Sequence, residues 1–292
     1  MSQTAQSLRA DAQALSGALP PLLAAAGRLA ANVAMGAHGR RRAGSGENFW
    51  QYRHAMPGDN LASIDWRRSA QGDALFIRER EWEASQTVGF WVDPSKAMDY
   101  QSAKHTPKSA RAKVLALACA SLLSRAGERV SLLATAAAKP GFGQAKLHQM
   151  AVALADLGQS SDYGVLPPPH GARGGHRLFF SDFMGREADI FPALHTHAEA
   201  GNDGAMIHIL DPSEEAFPYD GRIIFESMGG AIDFETRRAK ALRAAYQERL
   251  DERSAMLKDW AHRAGWHYLR HSTGDNPQTA LLWLFNALGV KR

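Results

Sequence analysis

Three aspartates stand where apolar runs end: Asp93 closes TVGFWVD, Asp182 follows HRLFFS, and Asp211 closes GAMIHILD. Ser95 lies two places beyond Asp93. Carboxylates and neutral hydroxyls in this spacing are the ligands Mg²⁺ prefers, because that ion takes near-octahedral oxygen coordination. A full Asp-x-Ser-x-Ser pattern needs a hydroxyl at position 97, and the chain has Ala97 there. Asp93, Ser95 and Asp182 are therefore read as a degenerate cation site, weak or empty for Mg²⁺. The plainer alternative is that Asp93 and Ser95 cap the turn that follows. No cofactor is otherwise expected.

Near this site positive charge collects at Lys96, Lys104, Lys108, Arg111 and Lys113. Residues 101–150 hold eight Lys/Arg and a single acid, Glu128. Such a patch steers an acidic protein partner, and salt weakens the attraction. Lys108 and Arg111 are expected to be solvated. A nucleic-acid surface is the competing reading of the 101–150 face, made less attractive by the absence of interleaved aromatic rings. The net charge of +4 and pI of about 9.3 do not decide between them.

Other constellations carry less. Asp59, Asp65 and Glu79 offer the carboxylates of a metal-dependent hydrolase, but Glu79, Glu81 and Glu83 alternate with arginines as an antiparallel strand does. Asp65-Trp66-Arg67 reads as a structural knot, a buried carboxylate paired with Arg67 or Arg53 beside an indole. All seven tryptophans read as core anchors. His195 and His197 point to different helix faces, and His262, His267 and His271 are expected to be solvated. There is no Walker A loop and no G-x-S-x-G elbow. Cys119, the single cysteine, sits in an apolar helix and reads as a buried thiol in a reducing compartment.

The elements that must hold these residues alternate from Gln86 onward. Strands TVGFWVD, RVSLLAT, HRLFFSDF, GAMIHILD and WHYLRHS are separated by helical stretches, and a final helix, NPQTALLWLFNALG, follows. Gly127, Gly158 and Gly265 mark helix ends, and Pro192 interrupts one helix. This order predicts a mostly parallel sheet with helices on both faces. Its continuous apolar strands suit burial on both sides, and ligands gather at the strands' carboxyl ends. Asp93 and Asp182 are expected on neighbouring strands there.

Before Gln86 the chain changes character. A helix is expected from Pro21 to Met35, followed by Arg40 to Arg42 in a region of nearly balanced charge. Pro57-Gly58 forms a turn that Asp59 or Asn60 caps, and ALFIREREWEA is an antiparallel strand. The division is thus 1–85, an N-terminal helix and β-rich segment, and 86–292, an α/β domain. No stretch reads as a membrane span or signal peptide, so a cytoplasmic location is expected.

The stretch R-x-x-x-P-G-D-N-x-x-x-I-D-W-R-x-S-A, Arg53 through Ala70, together with WVDPSKAM, HRLFFSDF and IHILDPSEEAFP, resembles the bacterial family known as domain of unknown function 58. The motif residues concerned are Arg53, Pro57, Gly58, Asp59, Asp65, Trp66 and Arg67. The resemblance implies a von Willebrand factor A-like domain. It implies a MoxR-type AAA+ ATPase as partner, working on the assembly or maturation of an unidentified client protein, with no established enzymatic activity. In A-like domains Asp-x-Ser-x-Ser is completed by a threonine and an aspartate from later loops. By that template Asp182 is the aspartate, and PGFGQAK is the threonine loop, with Gln144 as the nearest substitute. The expected function is accordingly a non-enzymatic adaptor, docking at the crest of the sheet.

Overall fold

The computed structural model describes residues 40–44, 48–56, 64–70, 72, 74–84, 86–102, 104–158, 161–169, 174–226, 230 and 233–289. The helix expected over 21–35 and the Pro57-Gly58-Asp59 turn lie outside them.

Two sheets succeed each other. The first is antiparallel: β1 (Arg40–Gly44) and β2 (Asn48–His54) flank β3 (Phe76–Ala84), in the order β1-β3-β2. β3 is the Arg/Glu-alternating segment, and its backbone pairs Gln51 with Glu79 and Arg53 with Ile77. Between β2 and β3 sits one helical turn, α1 (Trp66–Ser69). Asp65 is its N-cap, accepting from Arg68 N at 3.0 Å. Ser69 is buried and stitches the turn to the sheet. Its Oγ donates to Asp65 O (2.8 Å) and accepts from Phe76 N (2.9 Å).

The second sheet holds β4 (Thr87–Val92), β5 (Arg129–Leu132), β6 (Gly175–Ser181), β7 (Asn202–Leu210) and β10 (His267–Ser272). Their order is β10-β7-β6-β4-β5, and every pairing is parallel. β-branched and aromatic residues fill these strands, and burial on both faces removes any need for polar alternation. Helices α2 (Lys108–Arg125), α3 (Gly143–Ala155) and α7 (Pro277–Gly289) cover one face, where Phe90, Leu178, Phe180 and Ile207 meet Leu115, Met150 and Leu284. Helices α4 (Glu187–Glu199) and α6 (Ala239–Ala264) cover the other around Trp91, Phe179, Met206, Trp260 and Trp266. After β5 a short arm turns back, and Gly141 pairs antiparallel with Val130. This is a mixed α/β, von Willebrand factor A-like architecture with a parallel five-stranded sheet, as expected. The strand order reverses between β4 and β6, so the crevice of a doubly wound sheet opens between their carboxyl ends.

Some details depart from expectation. α4 runs continuously through Pro192, which sits early enough to lose only one intrahelical bond. The stretch before α6 is not helical. β8 (Ile223–Glu226) and β9 (Asp233–Thr236) form a separate antiparallel pair after a short helix, α5 (Pro212–Ala216). Trp66 is 60% exposed, so it is no core anchor.

Candidate functional site

The reversal of strand order makes Asp93 and Asp182 neighbours, as anticipated: β4 pairs with β6, and Asp93 N donates to Phe180 O. Both aspartates are 1% exposed. Asp93 Oδ1 accepts from Ser95 N (2.8 Å), which makes the strand-to-helix turn. Its Oδ2 accepts from Ser181 Oγ at 2.5 Å. Burial, and then the charge of Asp182, push the Asp93 carboxyl up to about 6, against the lowering effect of the serine bonds. Ser95 is buried too, but its Oγ has no hydrogen-bond partner among the described residues.

The cation at this crevice is the chain's own. Lys108, the first residue of α2, is 1% exposed. Its Nζ donates to Asp182 Oδ2 at 2.9 Å and to Glu214 Oε1 at 2.6 Å. It also lies 5.8 Å from the centre of the Tyr100 ring. Burial alone lowers an ammonium's pKa, but Asp182 and Glu214 together raise that of Lys108 above the ordinary lysine value. Local helix energetics do not explain this placement. A cation in the first turn opposes the helix macrodipole, at a cost of about 0.3–1 kcal/mol. The carboxylates hold it there.

Glu214 comes from the capping box of α5. Asp211 Oδ1 accepts from Ser213 N (2.8 Å), and Glu214 Oε2 accepts from Asp211 N (2.8 Å). Its other oxygen is thereby turned to Lys108. Asp211, the third strand-end aspartate, is consumed structurally. It accepts from Ser213 Oγ (2.7 Å) and Ser102 N (2.9 Å), and these bonds outweigh burial to hold its pKa below the usual value.

A divalent cation does not fit the site as built. Position 97 offers no oxygen, and an ammonium already occupies Asp182. On the far side, Gly164 is pressed against the Asp93 carboxylate so closely that a Cβ there would lie 2.1 Å from Oδ2. The loop that visits the site is therefore 161–164, which follows α3. Lys96 N and Ala97 N donate to Ser161 O (2.9 Å) and Asp162 O (3.0 Å). The loop PGFGQAK precedes α3, and Gln144 stands exposed in the first turn of that helix, so it is not the missing ligand. The physical reason is the antiparallel arm after β5. It carries the chain away from the crest before α3 begins, and only the end of α3 brings it back.

The basic crest is also redrawn. Lys108 and Arg111 are not solvated. Arg111 is half-buried, its Nη1 bonded to His271 Nε2 (3.1 Å) and Asp275 O (2.8 Å), its Nη2 to Thr273 O (2.8 Å). His271 is buried rather than solvated, and burial, reinforced by Arg111, lowers its pKa to about 4. Lys146 is buried as well, donating to the carbonyls of Ala137 and Lys139, both at 2.7 Å. Lys96 and Lys113 are partly exposed, and Lys104 is fully exposed. Three of the eight cations in 101–150 are thus turned inward.

Beside Lys108 a cleft of about 380 Å³ opens, lined by Tyr100, Tyr163 and Tyr246 and by Asp162 and Glu226, with Asp182 and Glu214 at its base. Sequence reading missed Glu214, Gly164 and these tyrosines. Asp211-Pro-Ser-Glu214 is a legible capping box, but nothing local says that its glutamate reaches α2. The proposed hydrolase trio is not assembled by the described residues. Asp65 caps α1, Asp59 lies outside them, and of Glu79 only the backbone is described. The Asp65-Trp66-Arg67 motif is a capped turn with Trp66 and Arg67 exposed, not a buried ion pair with Arg67.

The profile described as "Protein of unknown function DUF58" matches residues 51–256. The chain belongs to this family. Two solved structures are similar to this DUF58 chain. One is an aerotolerance-related membrane protein from Bacteroides fragilis NCTC 9343 with multiple mutations to serines, at 15% identity and a TM-score of 0.43. The other is the conserved hypothetical protein BatB from Bacteroides thetaiotaomicron, at 13% identity and a TM-score of 0.40. Each match covers 71% of the DUF58 chain and 100% of the other chain. A comparison with curated proteins gives no match. Among the described residues, no helix is long and apolar enough to cross a membrane.

Proposed function

We propose that this DUF58 protein is a non-enzymatic adaptor whose docking face is the crest of the parallel sheet, and that it works with a MoxR-type AAA+ ATPase on a client protein. The observation that carries the reading is the Lys108 ammonium held between Asp182 and Glu214 at the switch-point crevice. A carboxylate-based reaction site needs a carboxylate free to take a proton or a metal open to substrate. Here the carboxylates are spent on an internal cation, on backbone amides and on serine hydroxyls. What the crest presents instead is a preformed cleft with tyrosine walls. Tyrosine is enriched at interfaces because it buries a large ring while keeping a polar tip.

The charge of this cleft favours a basic side chain on the partner rather than an acidic one. Asp162, Asp182, Glu214 and Glu226 face the single cation Lys108. Tyr163→Ala combined with Glu226→Lys tests the reading, since both residues are exposed and neither holds the core. Surface plasmon resonance against the ATPase at several ionic strengths is expected to show at least tenfold weaker binding and an unchanged melting temperature. Unchanged affinity removes the crest as the interface and leaves the antiparallel β1–β3 sheet as the next candidate. Turnover of a substrate panel that depends on Asp93 or Asp182 would overturn the non-enzymatic reading.

A further inference from the structure

Arg177 is the third residue of strand β6, directly before the apolar run Leu178–Phe180, and is 5% exposed. A buried guanidinium without a counter-charge costs several kcal/mol, so buried arginines are nearly always paired. Arg177 is not. Its one hydrogen bond among the described residues runs from Nη1 to the carbonyl of His176 (3.0 Å), and Nε is buried with no partner. Asp203 is the nearest acid with an electrostatic influence on it, but that carboxylate is engaged by His176 Nδ1.

The surroundings are shaped to keep this side chain in place. A Cβ at Gly89 on β4 would lie 3.2 Å from Arg177 Cδ, and one at Gly175 would lie 3.1 Å from its Nη1. Two glycines therefore leave the room that the arginine fills. On this face Trp91 of β4 joins the core under α4 and α6, and Leu133, just after β5, packs against that core. A cavity of about 650 Å³ opens there. Arg177, Thr87 and Ser131 give it polar groups, while Leu133, Pro140 and Pro167 are among its apolar walls. Its size falls in the range of about 300–1,000 Å³ typical of small-molecule sites, and a few convergent polar groups in an apolar cavity are what such sites present.

We propose that this cavity is a binding site for a small organic carboxylate carried on an apolar chain, with Arg177 as the group that recognises the anion. The site is separate from the crest. It shares no lining residue with the Lys108 cleft. Arginine suits the task because its planar fork of donors matches a carboxylate, and here Nε has no competing bond.

The test uses the full chain and three matched probes: sodium octanoate, 1-octanol and inorganic phosphate. Titration calorimetry and thermal shift are expected to show saturable binding of octanoate, at least tenfold weaker binding of octanol, and none of phosphate. Arg177→Met is expected to lose octanoate binding at least tenfold while melting no lower than wild type without ligand, since it removes an unpaired buried charge. If Arg177→Met does not fold, Ala136→Trp, at an exposed lining position, fills the cavity and leaves the arginine untouched. It must then abolish octanoate binding. Equal affinity for octanoate and octanol, octanoate binding that survives both variants, or no binding of octanoate at all overturns the proposal. So does saturation by an acetylated pentapeptide with a free C-terminal carboxylate when octanoate fails, because the ligand would then be a polypeptide.

Discussion

Replacing Lys108 with methionine tests whether its ammonium holds the crevice together. Methionine keeps most of the side-chain volume and removes only the charge and the donors. Asp182 and Glu214 then face each other across a buried space, with side-chain exposures of 1% and 18%. Breaking a buried ion pair from one side costs about 3–5 kcal/mol, because the remaining charge is left uncompensated. Removing a cation from a helix N-terminus returns about 0.3–1 kcal/mol. The net loss is about 2–4.7 kcal/mol, and for a domain of this size each kcal/mol moves the melting temperature by about 2–4 °C. A fall of about 4–19 °C in calorimetry at pH 7.5 is expected. The deficit should shrink as pH falls, because burial already raises the Glu214 carboxyl and its protonation ends the repulsion. The triple variant Lys108→Met, Asp182→Asn, Glu214→Gln should recover much of the loss, since neutral groups need no counter-ion. A single variant that melts within about 2 °C of wild type would refute the reasoning. So would a deficit independent of pH.

Asp93 makes a second, opposite use of pH. Its folded pKa of about 6 lies above the ordinary aspartate value of 3.8, so its contribution to stability is full below about 4 and is lost as pH rises through about 6. By urea unfolding, Asp93→Asn should remove a downward slope worth roughly 3 kcal/mol between those limits relative to wild type. His208, buried beside Tyr268 Oη and held by burial at about 3, acts in the other direction: stability is lost as pH falls below 6.5. His208→Gln should therefore lessen acid sensitivity, as followed by circular dichroism from pH 7 to 4. Gly164→Ala drives a methyl into the Asp93 carboxylate and should cost about 1–3 kcal/mol in chemical denaturation. In the same assay Ser69→Ala, which orphans Phe76 N, should cost about 1–3 kcal/mol. Asp65→Ala, which removes the N-cap bond to Arg68 N, should cost about 1 kcal/mol or more.

The strand–helix alternation, the end of α6 at Gly265 and the antiparallel β3 were legible because each follows from local pattern: apolar runs, a stop residue, and charges alternating with period two. The family motif was legible for the same reason, and so was the placement of Asp93, Asp182 and Asp211 at strand ends. Lys108, by contrast, reads as an ordinary surface lysine at a helix start. Only the packing of α5 against the crest brings Glu214 within 2.6 Å of it. The two residues stand far apart in the chain, so the separation between a solvated cation and a buried one is set by a contact that no local pattern encodes. Gln144 stands nearest to the template's threonine in the sequence but not in space, because the antiparallel arm after β5 reduces to one bridge, Gly141 to Val130, too short to leave a strand signal. That bridge decides which end of α3 reaches the crest. Arg177 shows the same division. Its charge within the strand is visible in the sequence, but its lack of a bonded counter-ion among the described residues is not. That depends on where every carboxylate comes to rest after folding, and only the tertiary structure fixes it.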